Sequence, residues 1–161
     1  DADIIVNIQG DEPDIDPESI NRVVDVLARN PSAQMSTLCT PITEAHVRDQ
    51  SSCVKVVQAA DGRALYFSRS TVPFVRDGDW DELLRADSPW RLHLGIYAYR
   101  RDFLLHLTQQ PTSRLEQLEK LEQLRALELG AVIQVAEVAH RLVGIDTPED
   151  YARFVASRRA A

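Results

Sequence analysis

Cysteine is scarce in this sequence. Only Cys39 and Cys53 occur, too few for a disulfide scaffold and consistent with a reducing compartment. Basic residues are outnumbered, 18 Lys and Arg against 25 Asp and Glu, giving a net charge of −7. That deficit argues against broad binding to nucleic acid or to an anionic membrane surface, while leaving room for a local basic pocket. No apolar run approaches the roughly 18 residues a membrane helix needs. No basic segment followed by an apolar one marks a signal peptide at the start. A P-loop, a Cys-x-x-Cys pair and a Gly-x-Ser-x-Gly elbow are all missing, and His46, His93, His106 and His140 lack metal-ligand spacing. What remains is an ordinary globular composition, 44% hydrophobic and 27% charged over 161 residues. That length suits a single domain spanning residues 1–161.

The pattern along the chain alternates strands and helices. Ile4-Ile5-Val6-Asn7-Ile8, closed by Gln9-Gly10-Asp11-Glu12-Pro13, reads as a buried and parallel strand. Asp16 and Pro17 supply an N-cap and a first helical residue. Ile20, Val23, Val24 and Leu27 then give the helix one buried face. Residues 35–42 and 92–99 are strand candidates. Residues 53–58 and 64–68 form a hairpin around Ala60-Asp61-Gly62. Residues 69–90 read as a long irregular loop of the kind that is often functional. A long helix is expected from about Arg114 to Leu129, with a Ser113/Glu116 capping box and Gly130 at its end. Val132 to Val138 is a further strand, and Thr147-Pro148 restarts a helix. The fold class is therefore α/β, with a mainly parallel sheet and an inserted hairpin. The chain opens on Asp1 and reaches a strand by Ile4, the start expected of a fragment.

Five places could carry chemistry. Asp11 and Glu12 follow the first strand, where ligands bind in open α/β sheets. They could hold a hard cation or be solvated turn residues. Asp146 sits one residue before the cap formed by Thr147-Pro148 and could meet Asp11 at one sheet edge. Glu122 falls between Leu115 and Leu118 on the apolar side of the long helix. It either faces a pocket or pairs with Arg125, while Glu116 and Glu119 read as a solvated face. His93 and Tyr97 share one strand face, as packing residues or as pocket lining. Arg69 and Arg76 flank Val72-Pro73-Phe74 and could recognise a carboxylate or phosphate, or pair with Asp77 or Asp79.

The ordered set Val6-Asn7-Ile8-Gln9-Gly10-Asp11-Glu12-Pro13, Val54-Lys55-Val56-Val57, Ala64-Leu65-Tyr66-Phe67-Ser68-Arg69, Val72-Pro73, His93-Leu94-Gly95-Ile96-Tyr97, Leu121-Glu122-Gln123-Leu124-Arg125 and Gly144-Ile145-Asp146-Thr147-Pro148-Glu149-Asp150 resembles the 3-deoxy-manno-octulosonate cytidylyltransferases, or CMP-Kdo synthetases. The resemblance covers nearly the whole chain. It implies a Rossmann-like nucleotide-diphospho-sugar transferase fold. It also implies a cytoplasmic, Mg²⁺-dependent and dimeric enzyme that couples CTP to the acid sugar Kdo, releasing pyrophosphate and giving CMP-Kdo for lipopolysaccharide. It further implies catalytic, Mg²⁺-holding roles for Asp11 and Asp146, and sugar contacts from Gln9, Arg76, His93, Tyr97, Glu122 and Gln123. Cys53 stands where the family pattern has asparagine. The strand and basic loop that hold CTP in the family have no counterpart in this sequence. A chain without them is expected to be inactive alone, at most a dimerisation module. A cytidylyltransferase for a related acid sugar is the alternative within the class.

Overall fold

The computed structural model describes residues 2–10, 15–139, 151–152 and 155–156. Six strands form one sheet: β1 (Ile4–Ile8), β2 (Met35–Pro41), β3 (Lys55–Gln58), β4 (Ala64–Ser68), β5 (Arg91–Arg100) and β6 (Ile133–Glu137). Their order is β4-β3-β5-β2-β6, with β1 also on β5. Among the helices are α1 (Pro17–Arg29), α2 (Ala45–Asp49), α3 (Trp80–Ala86), α4 (Arg101–Thr108), α5 (Arg114–Glu119) and α6 (Gln123–Glu128).

The ten-residue β5 organises the molecule. It runs antiparallel to β2 on one side, and on the other to β1 along residues 96–100 and to β3 at Leu92. The α/β class and the inserted hairpin hold, but the expectation of a mainly parallel sheet does not. Among the described pairings only β2 with β6 is parallel. The reason is topological: β5 arrives from the β3–β4 hairpin through α3 rather than by a helical crossover between neighbours. Nor is β1 fully buried. It pairs only with β5 among the described strands, and Asn7 and Ile8 are exposed.

Period-two alternation along β5 sends its side chains into two separate cores. Leu92, Leu94, Ile96 and Ala98 face α1, packing with Val23, Leu27, Leu38 and Trp90. Tyr97 and Tyr99 face the opposite way, packing with Phe67, Leu121, Leu124 and Ile133. The first helix starts as its sequence dictates: Asp16 caps it by accepting from the Glu18 amide at 3.0 Å, and Pro17 follows. Its far end is tied to β5 by Arg100, which donates to the carbonyls of Leu27, Asn30 and Ala33.

Two further departures bear on the site. The 69–90 segment contains α3, started by Asp79, which accepts from the amides of Asp81 and Glu82. The long helix expected from Arg114 to Leu129 is instead two short ones, α5 and α6. The capping box forms as read, but the chain turns at Lys120, a non-glycine residue at φ 56° and ψ 47°. Leu118, expected on the buried stripe, is 67% exposed.

Candidate functional site

Partners from elsewhere in the fold break that helix. The Glu119 carboxylate accepts from the Ser68 hydroxyl at 2.7 Å and from the Arg69 amide at 2.9 Å. The Arg69 guanidinium donates in turn to the carbonyls of Glu119 at 2.6 Å, Lys120 at 3.3 Å and Ser51 at 3.1 Å. Carbonyls that would have continued the helical ladder are thus capped by a side chain from the end of β4. Lys55 fixes the same corner. Its buried ammonium donates to the carbonyls of Gln50, Cys53 and Arg69, and burial lowers its pKa. Reading Glu119 as a solvated residue is therefore corrected, and so is reading Arg69 as an anion fork or a partner of Asp77 or Asp79.

Glu116 is likewise not solvated. It is buried and forms a two-point ion pair with Arg125 at 2.7 and 2.8 Å. The hydrogen bond from Arg125 holds its carboxyl below the ordinary carboxylate range. That pairing takes Arg125 away from Glu122, so of the two readings of Glu122 the pair with Arg125 does not form. Glu122 stands exposed at the start of α6. It still lies close enough to Tyr97 and Tyr99 for its charge to raise both phenol pKa values, on top of the larger effect of burial. Gln123 is buried at the first position of α6.

The expected strand face on β5 does form. His93 and Tyr97 have ring centroids 5.4 Å apart, and Tyr97 and Tyr99 lie 5.9 Å apart. Phe67 meets His93 edge to face at 5.0 Å. Between His93 and Tyr97 stands Gly95, and the Gln9 side chain lies over it: a Cβ there would sit 3.5 Å from Gln9 Cδ. Gln9 directly follows β1, whose Asn7 is in register with Tyr97. Burial pushes the His93 pKa down to about 3, so the ring is neutral at ordinary pH. Gln9, His93 and Tyr97 therefore converge, with Glu122 near the tyrosines. Gly95 and Tyr99 belong to the same face, since the alternation that pairs 93 with 97 also selects 95 and 99.

Arg76 is not brought to this face. Its side chain is 90% exposed and 3.9 Å from Asp77, the bland alternative of the sequence reading. Asp11 and Asp146, with Glu12 and the Thr147-Pro148 helix start, lie outside the described residues. Among the described residues no three His, Cys, Asp or Glu side chains cluster as metal ligands, and no helix is long and apolar enough to cross a membrane.

Chemically the described face is a holding surface. Its imidazole and the Gln9 amide, beside two buried phenols kept protonated, are hydrogen-bonding groups that suit a polyhydroxylated ligand, and none of them is poised to move a proton near neutral pH.

The cytidylyltransferase family model matches residues 1–134. The 3-deoxy-manno-octulosonate cytidylyltransferase of Rhodopirellula baltica is 49% identical over 158 residues, spanning 97% of this chain and 63% of that protein. Its counterpart from Geobacter sulfurreducens is 49% identical over 92% of this chain and 61% of that protein. A solved structure of CMP:2-keto-3-deoxy-manno-octonic acid synthetase complexed with CTP superposes with a TM-score of 0.88 and 40% identity, over 99% of this chain and 63% of that one. The chain thus spans somewhat under two thirds of the length of the relatives it matches.

Proposed function

The chain belongs to the cytidylyltransferase family, and from that premise we propose that it forms the sugar-holding part of an enzyme that couples CTP to Kdo, giving CMP-Kdo and pyrophosphate for lipopolysaccharide synthesis. The observation that carries this reading is the face on β5. There His93 and Tyr97 flank Gly95 under the Gln9 side chain, a constellation suited to a polyol. The similarity to proteins of that name supports the choice of sugar.

In the proposed reaction the anomeric hydroxyl oxygen of Kdo attacks the α-phosphorus of CTP. The new P–O bond forms as the bond to the β-phosphate breaks, pyrophosphate leaves and the hydroxyl proton passes to solvent. Such transfers depend on positioning and on neutralising phosphate charge. Gln9, His93 and Tyr97 orient the sugar from the sheet, and Glu122 and Gln123 from the α5–α6 turn. Asp11 and Asp146 would hold Mg²⁺, since carboxylate oxygens suit a hard cation; when bound, the ion supplies charge neutralisation and makes the sugar hydroxyl more acidic. A homodimer in the cytoplasm completes the proposal.

The test is pyrophosphate release from CTP, Mg²⁺ and Kdo by the complete reading frame containing these residues. Kdo-dependent release is expected. Release with another acid sugar but not Kdo would overturn the choice of substrate, and silence with every acid sugar would overturn the transferase reading. Asp11→Asn or Asp146→Asn should abolish release while leaving the circular-dichroism melt in place; normal turnover in either would remove the metal assignment.

A further inference from the structure

The sheet carries an irregularity directly beneath the proposed sugar face. Along the β2–β5 pairing, Thr37 is in register with Tyr97 but the next residue, Leu38, is in register with Leu94. Gly95 and Ile96 are therefore extra residues on β5, a bulge of the kind that re-aims side chains beside functional sites. The fully buried Thr37 fills this irregularity. Its hydroxyl oxygen lies 2.8 Å from the carbonyl oxygen of Ile96, 3.1 Å from that of Leu94 and 3.0 Å from His93 Nε2.

A hydroxyl has one proton and can accept elsewhere. Both carbonyls can only accept. Were the hydroxyl to give its proton to His93, its lone pairs would face two carbonyl oxygens at 2.8 and 3.1 Å, a repulsive arrangement in a buried site that leaves both carbonyls without this donor. The proton therefore goes to a carbonyl, the nearer being Ile96. The ring nitrogen at 3.0 Å must then be the donor, carrying its proton on Nε2. In a neutral imidazole that leaves Nδ1 with a lone pair, and Nδ1 has no hydrogen-bond partner among the described residues.

We propose that Thr37 is a positioning residue for the sugar pocket, fixing His93 as the Nε2–H tautomer so that Nδ1 accepts a hydrogen bond from a sugar hydroxyl rather than contacting the sugar carboxylate. The proposal rests on the sugar-holding reading above. Its logic is one of specificity: an acceptor rewards a ligand that brings a hydroxyl there and repels one that brings a carboxylate. Burial disfavours the charged imidazolium, so a second donor on the ring is not available at neutral pH. Phe67, edge-on to the ring at 5.0 Å, supports the orientation.

The tautomer is read directly by long-range ¹H–¹⁵N correlation of the His93 ring in the ¹⁵N-labelled complete chain, without substrate. The wild type and Thr37→Ser should both show a protonated Nε2 and a pyridine-like Nδ1. Thr37→Val should lose that fixed tautomer and raise KM for the acid sugar about three- to tenfold, the worth of one neutral hydrogen bond. KM for CTP should stay put, and Thr37→Ser should restore the sugar KM. A proton on Nδ1 in the wild type would overturn the proposal even if Thr37→Val fails to fold. So would a folded Thr37→Val with unchanged ring signals and sugar KM. Turnover of no acid sugar by a wild type whose ring is Nε2–H would overturn the hydroxyl-acceptor role through the functional reading, a failure distinct from that of the tautomer.

Discussion

Replacing Glu119 tests whether the turn that presents Glu122 and Gln123 is held from outside its own helices. The carboxylate takes two donors, the Ser68 hydroxyl at 2.7 Å and the Arg69 amide at 2.9 Å. A hydrogen bond to a charged group contributes about 1.5–3 kcal/mol, and partial exposure of Glu119 trims the sum, so Glu119→Ala should cost about 2–4 kcal/mol. Glu119→Gln keeps one acceptor oxygen and turns an amide NH₂ toward the other donor, so it should cost about half as much. With a urea slope of about 2 kcal/mol/M, the alanine variant's midpoint should fall by about 1–2 M. A domain stable by about 5–15 kcal/mol stays folded under that loss, so kinetics remain readable. Because Glu122 and Gln123 follow the turn directly, KM for the acid sugar should rise severalfold while KM for CTP stays unchanged. Urea titration with pyrophosphate-release kinetics on the complete reading frame measures both. A stability loss below about 0.5 kcal/mol, within the range of an ordinary surface substitution, or an equal rise in both KM values would refute the reasoning.

Lys120 adopts a left-handed conformation at φ 56° with its side chain in solvent, so Lys120→Gly should stabilise the protein by about 1 kcal/mol in the same urea titration; destabilisation would mean that the lysine side chain matters to the turn. The Arg125 guanidinium holds the Glu116 carboxyl down, and a depressed carboxyl adds stability that is fully present above its unfolded pKa of about 4.3 and is lost as pH falls through the folded value. The melting temperature of the wild type should therefore converge toward that of Glu116→Gln as pH drops below about 4, and a gap that stays constant from pH 7 to 3 on calorimetry would contradict this. Gly95→Ala places a methyl at ordinary contact distance from Gln9, 3.5 Å. It should leave the melt within about 0.5 kcal/mol of the wild type yet raise the acid-sugar KM severalfold; unchanged kinetics would show that the sugar does not reach the floor between His93 and Tyr97.

The strand face was legible in the sequence because period-two alternation is a local rule. Knowing that 92–99 is a strand puts His93 and Tyr97 together, as found. The capping box at Ser113 and Glu116 and the hairpin around Gly62 are local in the same sense. What escaped is non-local. The stretch from Arg114 to Leu129 has the leucine and glutamate content of one helix. Its interruption depends on Ser68 and Arg69, about 50 residues away, whose hydrogen bonds outweigh intrinsic propensity. The same interruption defeated the helical-wheel argument for Glu122, since no single helix carries it alongside Leu115 and Leu118. The antiparallel setting of β5 was hidden for a similar reason: apolar content reports burial, whereas strand direction is set by the route of the chain between strands.

These non-local ties bear on how the site works. The two parts proposed to face the sugar sit on different supports. One is the central strand β5, paired on both sides. The other is a short turn between α5 and α6, which has too little helix of its own to be stiff. Glu119 and Arg69 bind that turn to the β3–β4 hairpin, and Lys55 holds the Arg69 carbonyl, so both supports are tied to one sheet and hold their geometry before substrate arrives. The proposed transfer of a nucleotidyl group to a sugar hydroxyl depends on such preorganisation and on charge stabilisation. The described face agrees, since His93 is neutral well below physiological pH and burial keeps the phenols of Tyr97 and Tyr99 protonated. A break near neutrality in the pH–rate profile would therefore have to originate in the substrates or in groups beyond this face, not in the side chains that line it.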